Sequence, residues 1–343
     1  MPFADPKTEM KNRQIVLQKR PEGLPKLSDF AFVESDVPQL SDGQILVKHR
    51  YLGLAPAARI RMSAGPSYAP PTPIGGVIYG QAAGLVVASK HPRFSAGEAV
   101  VVTDGGWQEY SIASSRMVAK ASPQLAPLTV WLGILGVSGF TAYVGLLDVG
   151  QPKEGEVVVV SAASGAVGSL VGQIARIKGC YVVGISGGPE KCAYVVDDLK
   201  FDACVDHRNP DFGDALARAC PDGIDIYFDN VGGPVRDEAF KLMKDFGRVV
   251  ICGLIAEYND EASSGPSWAS LLTKRLTVRG FLTRDYVHRK QDFETDTSHW
   301  YANGQVRLRD DISHGLEQTP SAFINLLTGK NFGKAIVELD QST

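Results

Sequence analysis

The chain uses cysteine sparingly and unevenly. Its first 179 residues contain none, and the five cysteines that follow form no Cys-x-x-Cys pair. An odd count without that spacing argues against a disulfide framework and against a structural zinc lobe. Each cysteine is better interpreted as a small buried side chain than as a nucleophile. The five are Cys180, Cys192, Cys204, Cys220 and Cys252.

Long apolar runs and an excess of one charge are also missing. No apolar stretch reaches the ~18 residues that a membrane-spanning helix requires. The first residues, Met1 to Lys7, are polar rather than the apolar core of a signal peptide. The formal net charge of −3, from 35 basic and 38 acidic residues, gives no basic field for nucleic acid or an anionic membrane. We therefore expect a cytoplasmic protein that binds neither.

The residue pattern changes part-way along the chain. Its length of 343 residues also favours two domains. Up to about Trp131, short β-branched runs such as Gln44–Leu52 alternate with turn residues, which is typical of a mostly-β domain. Beyond that point strands alternate with helical stretches, which predicts a parallel sheet with crossover helices. The expected domains are residues 1–133 with 312–343, through a returning strand at Lys334–Glu338, and residues 134–311. The strands predicted for the second domain are Val157–Ser161, Tyr181–Ile185, Ala203–Asp206, Asp225–Phe228, Arg248–Cys252 and Leu276–Phe281.

The strongest motif is a glycine turn between a buried strand and a helix. After Val157–Ser161 the turn reads Ala163-x-Gly165-x-x-Gly168. Gly165 lets the backbone approach a pyrophosphate, Gly168 lets the helix pack against the strand, and the amide groups at the helix start face the phosphates. Because strand, helix and next strand follow in order, the motif predicts dinucleotide binding rather than a purely structural turn. The predicted contacts of this turn are Gly165, Ala166, Val167 and Gly168.

The region that would read the cofactor ribose favours NADP(H) over NAD. An NAD site carries an acidic residue about 20 positions beyond the fingerprint. Here Ser186, 21 residues after Gly165, is followed by two glycines and no carboxylate. Lys191 is placed to meet a 2′-phosphate, and His207 and Arg208 could add hydrogen bonds or charge. A lysine at a helix start is usually a solvent-exposed side chain. The absence of a carboxylate at the end of the preceding strand nevertheless favours a phosphate contact for Lys191.

Six blocks of sequence, taken together, point to one family. They are Ala162–Gly168, Gly172–Ala175, Gly179–Gly184, Tyr227–Gly233, Cys252–Asn259 and Gly329–Lys334. Over nearly its whole length the chain resembles the medium-chain dehydrogenase/reductase superfamily, and within it the zinc-independent branch of prostaglandin reductases and alkenal double-bond reductases. The resemblance implies an α/β protein with a GroES-like, mostly-β catalytic domain and a Rossmann domain whose parallel sheet is doubly wound. It also implies a homodimer.

The resemblance assigns further residues to the cofactor site. Asn230 and Cys252 each follow a predicted strand at its carboxyl end, where ligands bind in such sheets. We expect Cys252 to contribute a backbone contact rather than thiol chemistry. Where the family commonly has a Tyr one strand after the cofactor lysine, this chain has His207. The residues implied to line the cofactor are Asn230, the Cys252–Tyr258 stretch, Phe281, Leu282, Thr283 and Asn331.

A catalytic zinc ion is not expected. Zinc-dependent relatives carry Gly-His-Glu before a small-residue stretch that resembles Ala82–Gly84, and here that tripeptide reads Tyr79-Gly80-Gln81. The six histidines form no His-x-x-x-His pair, whereas catalytic zinc needs three protein ligands. Tyr79 instead becomes a candidate for the substrate pocket.

The expected chemistry is reduction of a C=C bond conjugated to a carbonyl group. Without a Lewis acid, alcohol oxidation lacks its activator, whereas an unsaturated carbonyl needs only a hydride at Cβ, an oxyanion stabiliser and a proton at Cα. Tyr258 is the candidate proton donor or oxyanion partner; the alternative is that it only bonds the cofactor ribose.

Substrate and activity are left partly open by the sequence. The expected substrate is a small unsaturated ketone or aldehyde. The family's Asp-Pro-Tyr-Met-like segment reads Leu54–Arg59 here and lacks its Tyr, which predicts an altered pocket without prostaglandin-like specificity. Two other functions remain: a zinc-free NADPH:quinone reductase, and an NADPH-binding sensor or stress protein without turnover.

Overall fold

The computed structural model of the protein describes residues 11–65, 67–259 and 265–339. The chain divides into two compact units. The first unit comprises Met1–Leu132, Asp311–Asn331 and Ala335–Thr343, and the second comprises Gly133–Asp310 and Phe332–Lys334.

Strands and helices are numbered here in chain order, within the described residues. The strands are β1 (Lys11–Leu17), β2 (Phe30–Asp36), β3 (Gln44–Gly53), β4 (Gln81–Ser89), β5 (Ala99–Val102), β6 (Tyr110–Ser114), β7 (Val118–Lys120), β8 (Val157–Ser161), β9 (Tyr181–Ser186), β10 (Ala203–Asp206), β11 (Ile224–Asp229), β12 (Met243–Ile251), β13 (Thr277–Gly280), β14 (Asp310–His314) and β15 (Lys334–Glu338). The α-helices are α1 (Ala57–Arg61), α2 (Leu128–Leu132), α3 (Val137–Val144), α4 (Gly168–Ile177), α5 (Pro189–Asp197), α6 (Phe212–Ala219), α7 (Gly233–Lys241), α8 (Trp268–Lys274), α9 (Lys290–Ala302) and α10 (Thr319–Leu327).

The first unit is built mainly from antiparallel strands. Seven strands form one sheet, in which the order is β14-β15-β3-β4-β5-β7 and β6 also pairs with β3, while β1 and β2 form a separate hairpin. The returning strand predicted at Lys334–Glu338 is present, and its Ile336 lies opposite Gly53 of β3. Ile45 and Val47 of β3 are buried in an apolar cluster that also contains Val86 of β4 and Val100 and Val102 of β5.

The second unit contains a six-stranded parallel sheet with the order β10-β9-β8-β11-β12-β13. Its centre is β8, where Val158, Val159 and Val160 are 0% exposed. A run of valines without polar alternation is typical of a parallel strand that is covered on both faces. Helices α3 to α9 all belong to this unit.

The strand order of this sheet reverses between β8 and β11. Chain order runs from β8 through β9 to β10 on one side, and from β11 through β12 to β13 on the other. In open α/β sheets, ligands bind at such a switch point, outside the carboxyl ends of the strands. The predicted fold class, a mostly-β domain plus a doubly wound Rossmann domain, is confirmed. Within the described residues, no helix is both long enough and apolar enough to cross a membrane.

Candidate active site

The glycine turn joins β8 to α4 at the switch point. Ala162 has a φ of +51°, and the Gly165 amide donates to the Ala162 carbonyl oxygen at 2.9 Å. A Cβ atom at Gly168 would lie 2.4 Å from that same oxygen. The helix can therefore start this close to the strand only because Gly168 has no side chain.

Ala163 replaces the first glycine of the usual fingerprint, and the neighbouring strand explains how it fits. Ala163 is 0% exposed, and a Cβ atom at Gly184 of β9 would lie 2.8 Å from the Ala163 methyl group. The glycine that is missing from the turn is thus compensated by one on the adjacent strand. The turn keeps its close approach to β9, where the Ala163 amide donates to the Ile185 carbonyl oxygen at 3.0 Å.

Ser186 ends β9 and is tied to this turn. Its side-chain oxygen accepts a hydrogen bond from the Ser164 amide at 3.1 Å, and both residues are buried. The predicted cofactor residue Ser186 therefore helps to hold the turn in place. The two glycines that follow leave the tip of β9 without any side chain.

Two nitrogen-bearing side chains lie against that tip. A Cβ atom at Gly187 would lie 2.9 Å from both His207 Nε2 and Arg208 Nε. Burial lowers the pKa of the His207 imidazole, and the positive charges of Arg208 and Lys191 lower it further. Two of the residues predicted for this region, His207 and Arg208, thus lie against the glycine tip, and the third, Lys191, is near enough for its charge to act on His207.

Asp206 organises the same edge through backbone bonds. Its Oδ1 accepts hydrogen bonds from the Gly188 amide at 2.8 Å and the Arg208 amide at 3.0 Å. Burial raises the pKa of this carboxyl, but the two amide bonds and the charges of His207 and Arg208 prevail, and the pKa lies below its usual value. The carboxylate is therefore ionised at neutral pH and fixes the glycine tip against the loop after β10.

A buried carboxyl, Asp229, organises the carboxyl end of β11. It is 0% exposed, and its Oδ1 accepts from the Ser161 hydroxyl at 3.1 Å and from the Tyr227 hydroxyl at 3.0 Å. The amides of Val231 and Gly232 also donate to it, each at 2.9 Å. Asp229 thereby shapes the loop that carries Asn230, a role that the sequence interpretation missed although the residue stands inside one of the quoted blocks.

Asn230 is bonded to the end of β8. Its backbone amide donates to the Ser161 hydroxyl oxygen at 2.8 Å, and its Nδ2 donates to the Ser161 carbonyl oxygen at 2.8 Å. Asn230 therefore lies at the switch point, as its predicted role in lining the cofactor requires. Its side-chain amide already has a protein partner there.

Cys252 follows β12 and is held through its backbone. Its amide donates to the Asp229 carbonyl oxygen at 2.8 Å. Burial and the nearby Asp229 charge raise the pKa of the thiol to about 12. At neutral pH the thiol is protonated and a poor nucleophile, which agrees with the expectation of a backbone rather than a thiol role.

Tyr258 lies at the same edge, directly after a short turn, Ile255–Glu257. The Leu254 amide donates to the Tyr258 phenol oxygen at 3.2 Å. A Cβ atom at Gly253 would lie 3.3 Å from that oxygen, so the phenol group folds back over the start of its own loop. This places a phenol hydroxyl beside the carboxyl end of β12.

The segment after β13 completes the edge. The Phe281 ring packs edge-on against Phe228, with 6.5 Å between ring centroids, and against Tyr286 at 6.2 Å. Leu282 and Thr283 begin the next turn, in which the Asp285 amide donates to the Leu282 carbonyl oxygen at 3.0 Å. All three predicted residues, Phe281 to Thr283, thus follow a strand at its carboxyl end.

Two predicted site residues belong to the first unit. Asn331 lines a cavity of about 180 Å³ together with Asn325 and Lys330. Tyr79 stacks against Arg61, whose Cζ lies 3.8 Å from the ring centroid. Burial raises the pKa of the Tyr79 phenol, and the charge of Arg61 opposes that shift.

His49 is a core residue of the first unit, where it is 2% exposed. Its Nδ1 lies 2.8 Å from the Gln108 carbonyl oxygen and its Nε2 lies 2.7 Å from the Ser111 hydroxyl oxygen. Burial lowers its pKa to about 4. Across residues 11–65, 67–259 and 265–339, no three His, Cys, Asp or Glu side chains are grouped to hold a metal ion.

The donor set at the β9–β10 edge fits a phosphorylated dinucleotide. A glycine turn opens α4 at the switch point, and the tip of β9 has no carboxylate of its own. His207 and Arg208 lie against its glycines, and the charge of Lys191 acts on His207. Backbone amides at a helix start suit a pyrophosphate, and a cluster of basic side chains suits a 2′-phosphate. Together the fold and this edge define a dinucleotide-binding oxidoreductase.

Comparison with known proteins identifies the family. Residues 13–121 match the family described as the N-terminal domain of oxidoreductase, and residues 166–302 match the zinc-binding dehydrogenase family. The NADPH-dependent curcumin reductase of Escherichia coli is 45% identical over 338 residues, which cover 96% of this chain and 98% of that protein. The 2-alkenal reductase (NADP(+)-dependent) of Nicotiana tabacum is 40% identical, with 96% and 98% covered. Prostaglandin reductase 1 of Bos taurus is 39% identical, with 94% and 97% covered.

Solved structures agree with this assignment. CurA from Vibrio vulnificus in complex with NADPH superposes with a TM-score of 0.91 at 46% identity, covering 96% of this chain and 100% of that one. A quinone oxidoreductase from Pseudomonas syringae shares the fold, with a TM-score of 0.78 at 20% identity, covering 95% of this chain and 99% of that one. The chain belongs to the zinc-independent branch of the medium-chain dehydrogenase/reductase superfamily, as predicted from its sequence.

Proposed function

We propose that this protein uses NADPH to reduce the C=C bond of small α,β-unsaturated ketones or aldehydes, without a metal ion. The observation that carries the proposal is the position of the Tyr258 phenol, at the sheet edge that also bears the phosphate-binding cluster. Relatives across the whole chain are named for the reduction of curcumin, 2-alkenals and pulegone. They make the chain an NADP-dependent reductase of conjugated double bonds at the level of the family, which leaves its own substrate to be found.

NADPH is the cofactor, and the chain supplies two sets of groups to hold it. The related curcumin reductase and 2-alkenal reductase are named as NADPH- and NADP(+)-dependent, and the CurA structure contains NADPH. The amides at the start of α4 would bind the pyrophosphate. Lys191 and Arg208 would bind the 2′-phosphate with charge-assisted hydrogen bonds, and His207 would add a third. NADH lacks that phosphate and would gain nothing from this cluster.

The chemistry requires one hydride and one proton. Bound NADPH supplies the hydride, which is delivered to the substrate Cβ. Tyr258 would donate a hydrogen bond to the substrate carbonyl oxygen as negative charge develops there, or give its proton toward Cα. The Leu254 amide, 3.2 Å from the phenol oxygen, would keep the hydroxyl group in place during this step. Cys252 takes no part as a nucleophile because its thiol stays protonated.

An absorbance assay of NADPH oxidation tests the function. Purified protein is given small enones and 2-alkenals in one series and quinones in another. We expect turnover with the first series and deuterium at Cβ of the product when the NADPH carries deuterium at its transferable position. Turnover with quinones alone would establish the quinone reductase instead. Tight NADPH binding with no turnover in either series would establish a binding protein.

We also propose that the protein forms a homodimer through the second unit. Strand β13 stands at the edge of the sheet formed by the described strands, and its Val278 is 43% exposed. Large apolar side chains are also exposed on α8, where Trp268 is 84% and Leu272 is 77% exposed. An edge strand with exposed apolar neighbours is a template for pairing with another strand. A second copy presents the same edge and could pair with it about a twofold axis.

A further inference from the structure

The carboxylate of Glu257 connects the Tyr258 turn to the loop after β11. Its Oε1 accepts hydrogen bonds from the Gly233 amide at 3.0 Å and from Arg236 Nη1 at 2.8 Å. Gly232, the residue before α7, offers no side chain to cap that helix and has a φ of +73°. Glu257 therefore supplies, from a distant part of the chain, the acceptor that an N-terminal cap would normally provide.

The partner of this carboxylate is a buried guanidinium. The side chain of Arg236 is 8% exposed and that of Glu257 is 11% exposed. Arg236 also donates to Asp237 Oδ1 through Nε at 3.1 Å and Nη2 at 3.0 Å. Removal of either partner from a buried, hydrogen-bonded pair leaves the other charge uncompensated, so the pair resists separation.

Backbone bonds make the two loops one packed body. The Ala256 amide donates to the Val231 carbonyl oxygen at 3.0 Å. A Cβ atom at Gly232 would lie 2.9 Å from Glu257 Oε1, so the carboxylate can approach the helix start only because glycine stands there. Tyr258 is the next residue in the chain, and a shift of Glu257 would move its phenol directly.

We propose that Glu257, held by Arg236, is a positioning residue for Tyr258. The inference rests on the proposed function, in which Tyr258 contacts the substrate or the cofactor. Glu257 touches neither reactant in this proposal. It sets where the phenol lies relative to the carboxyl ends of β11 and β12, and a misplacement on the scale of 1 Å can cost a large part of the rate.

The test compares Glu257→Ala with Glu257→Gln. The alanine variant loses the acceptor for both Gly233 and Arg236, and we expect kcat at saturating NADPH and enone to fall about tenfold or more. The glutamine variant keeps an oxygen acceptor in the same place and is expected to stay within about threefold of the parent protein. Lys241→Ala, which changes an exposed lysine at the other end of helix α7, should leave kcat unaltered. Should Glu257→Ala fail to fold, Arg236→Gln replaces it.

A double-mutant cycle with Tyr258→Phe separates positioning from simple stability. If Glu257 acts through Tyr258, the alanine change should have little further effect on kcat or on the NADPH dissociation constant once the phenol hydroxyl is gone. A loss that adds fully to that of Tyr258→Phe would overturn the proposal. So would a lower melting temperature with kcat and NADPH affinity preserved. If the protein reduces no conjugated C=C bond, the proposed function fails. The positioning role is then tested by measuring the NADPH dissociation constants of the same four proteins by calorimetry. There, coupling between the two changes supports that role, and no coupling overturns it.

Discussion

We predict that the choice of NADPH over NADH depends on a few basic side chains near the glycines after β9. Lys191 and His207 could be selected from the sequence because they follow consecutive strands of a recognisable β-α-β unit. That Arg208 lies as close to Gly187 as His207 does is a result of the register between β9 and β10, in which Asp206 stands opposite Ser186. The sequence therefore named all three basic residues of the proposed phosphate cluster, while the strand register accounts for the approach of two of them to the same glycine.

Replacement of Lys191 by Ala should weaken NADPH far more than NADH. The loss of one charge-assisted contact corresponds to about 1.5–3 kcal/mol, or roughly a 10- to 150-fold rise in the NADPH dissociation constant. Calorimetric titration with both cofactors measures the difference. Lys153→Ala, which removes an exposed lysine before β8, is the control and should change neither affinity. Equal losses for NADPH and NADH in Lys191→Ala would show that Lys191 does not read the 2′-phosphate.

Replacement of Tyr258 by Phe distinguishes catalysis from cofactor binding. If the hydroxyl stabilises the developing enolate or donates the proton, kcat should fall by ~10²-fold or more while NADPH affinity changes little. If it only holds the ribose, the NADPH dissociation constant should rise and kcat at saturation should be nearly preserved. Single-turnover hydride transfer at saturating NADPH is the deciding measurement. An unchanged rate there removes Tyr258 from the chemistry and leaves water or a cofactor hydroxyl as the proton source.

At the scale of elements, the β8–α4 unit combines local and non-local requirements. The glycine spacing is local and predicted the turn, whereas the fit of Ala163 depends on Gly184 across the sheet. Strand β12 begins at Met243, five residues before the predicted start at Arg248. The early part of β12 escaped prediction because Phe246, with a φ of +63°, and Gly247 interrupt the apolar pattern.

Replacement of Gly168 by Ala should damage this unit. The new Cβ atom would meet the backbone oxygen of Ala162 at 2.4 Å, and backbone moves less readily than a side chain. We expect the free energy of unfolding to fall by about 1–3 kcal/mol, with weaker NADPH binding because the start of α4 shifts. Thermal melting and NADPH titration provide the two readouts. Gly65→Ala, where nothing lies within 4 Å of the new atom, should leave both unchanged; a harmless Gly168→Ala would refute the packing argument.

At the scale of the whole molecule, metal independence is a prediction from the Tyr79-Gly80-Gln81 replacement. Incubation with a strong chelator followed by dialysis should leave enone reduction intact, and elemental analysis should find no stoichiometric zinc. The control is a zinc-dependent alcohol dehydrogenase treated in parallel, which should lose activity. If the protein contained bound zinc and its removal abolished turnover, the metal-free mechanism would be wrong.

The homodimer is likewise a prediction about the whole molecule, and so is the cytoplasmic location. Light scattering should give about twice the monomer mass of 36.8 kDa. Val278→Lys places a charge on the exposed edge strand and should shift the protein toward monomer. Val87→Lys, on an exposed site of β4, is the matched control and should not. A protein that is monomeric at all concentrations would contradict the proposed interface.

The features that could be predicted from sequence are those that depend on residues close together in the chain. The valine run, the glycine turn, the missing acid after β9 and the missing imidazole at Tyr79–Gln81 are all read within a few positions. They predicted the fold class and dinucleotide binding, because backbone turns and strand burial depend on local residue type. The branch of the family followed from the resemblance that six blocks carry together.

Contacts between side chains that are far apart in the sequence became visible only in the folded structure. Asp229 joins Ser161 of another strand, and Glu257 caps a helix that begins at Gly233. Neither contact has a signature in sequence spacing, because it depends on the register of parallel strands and on how the loops after them fold over the sheet edge. The sequence therefore placed Tyr258 in the site, while the side chains that hold it there emerged only when the strands were brought together.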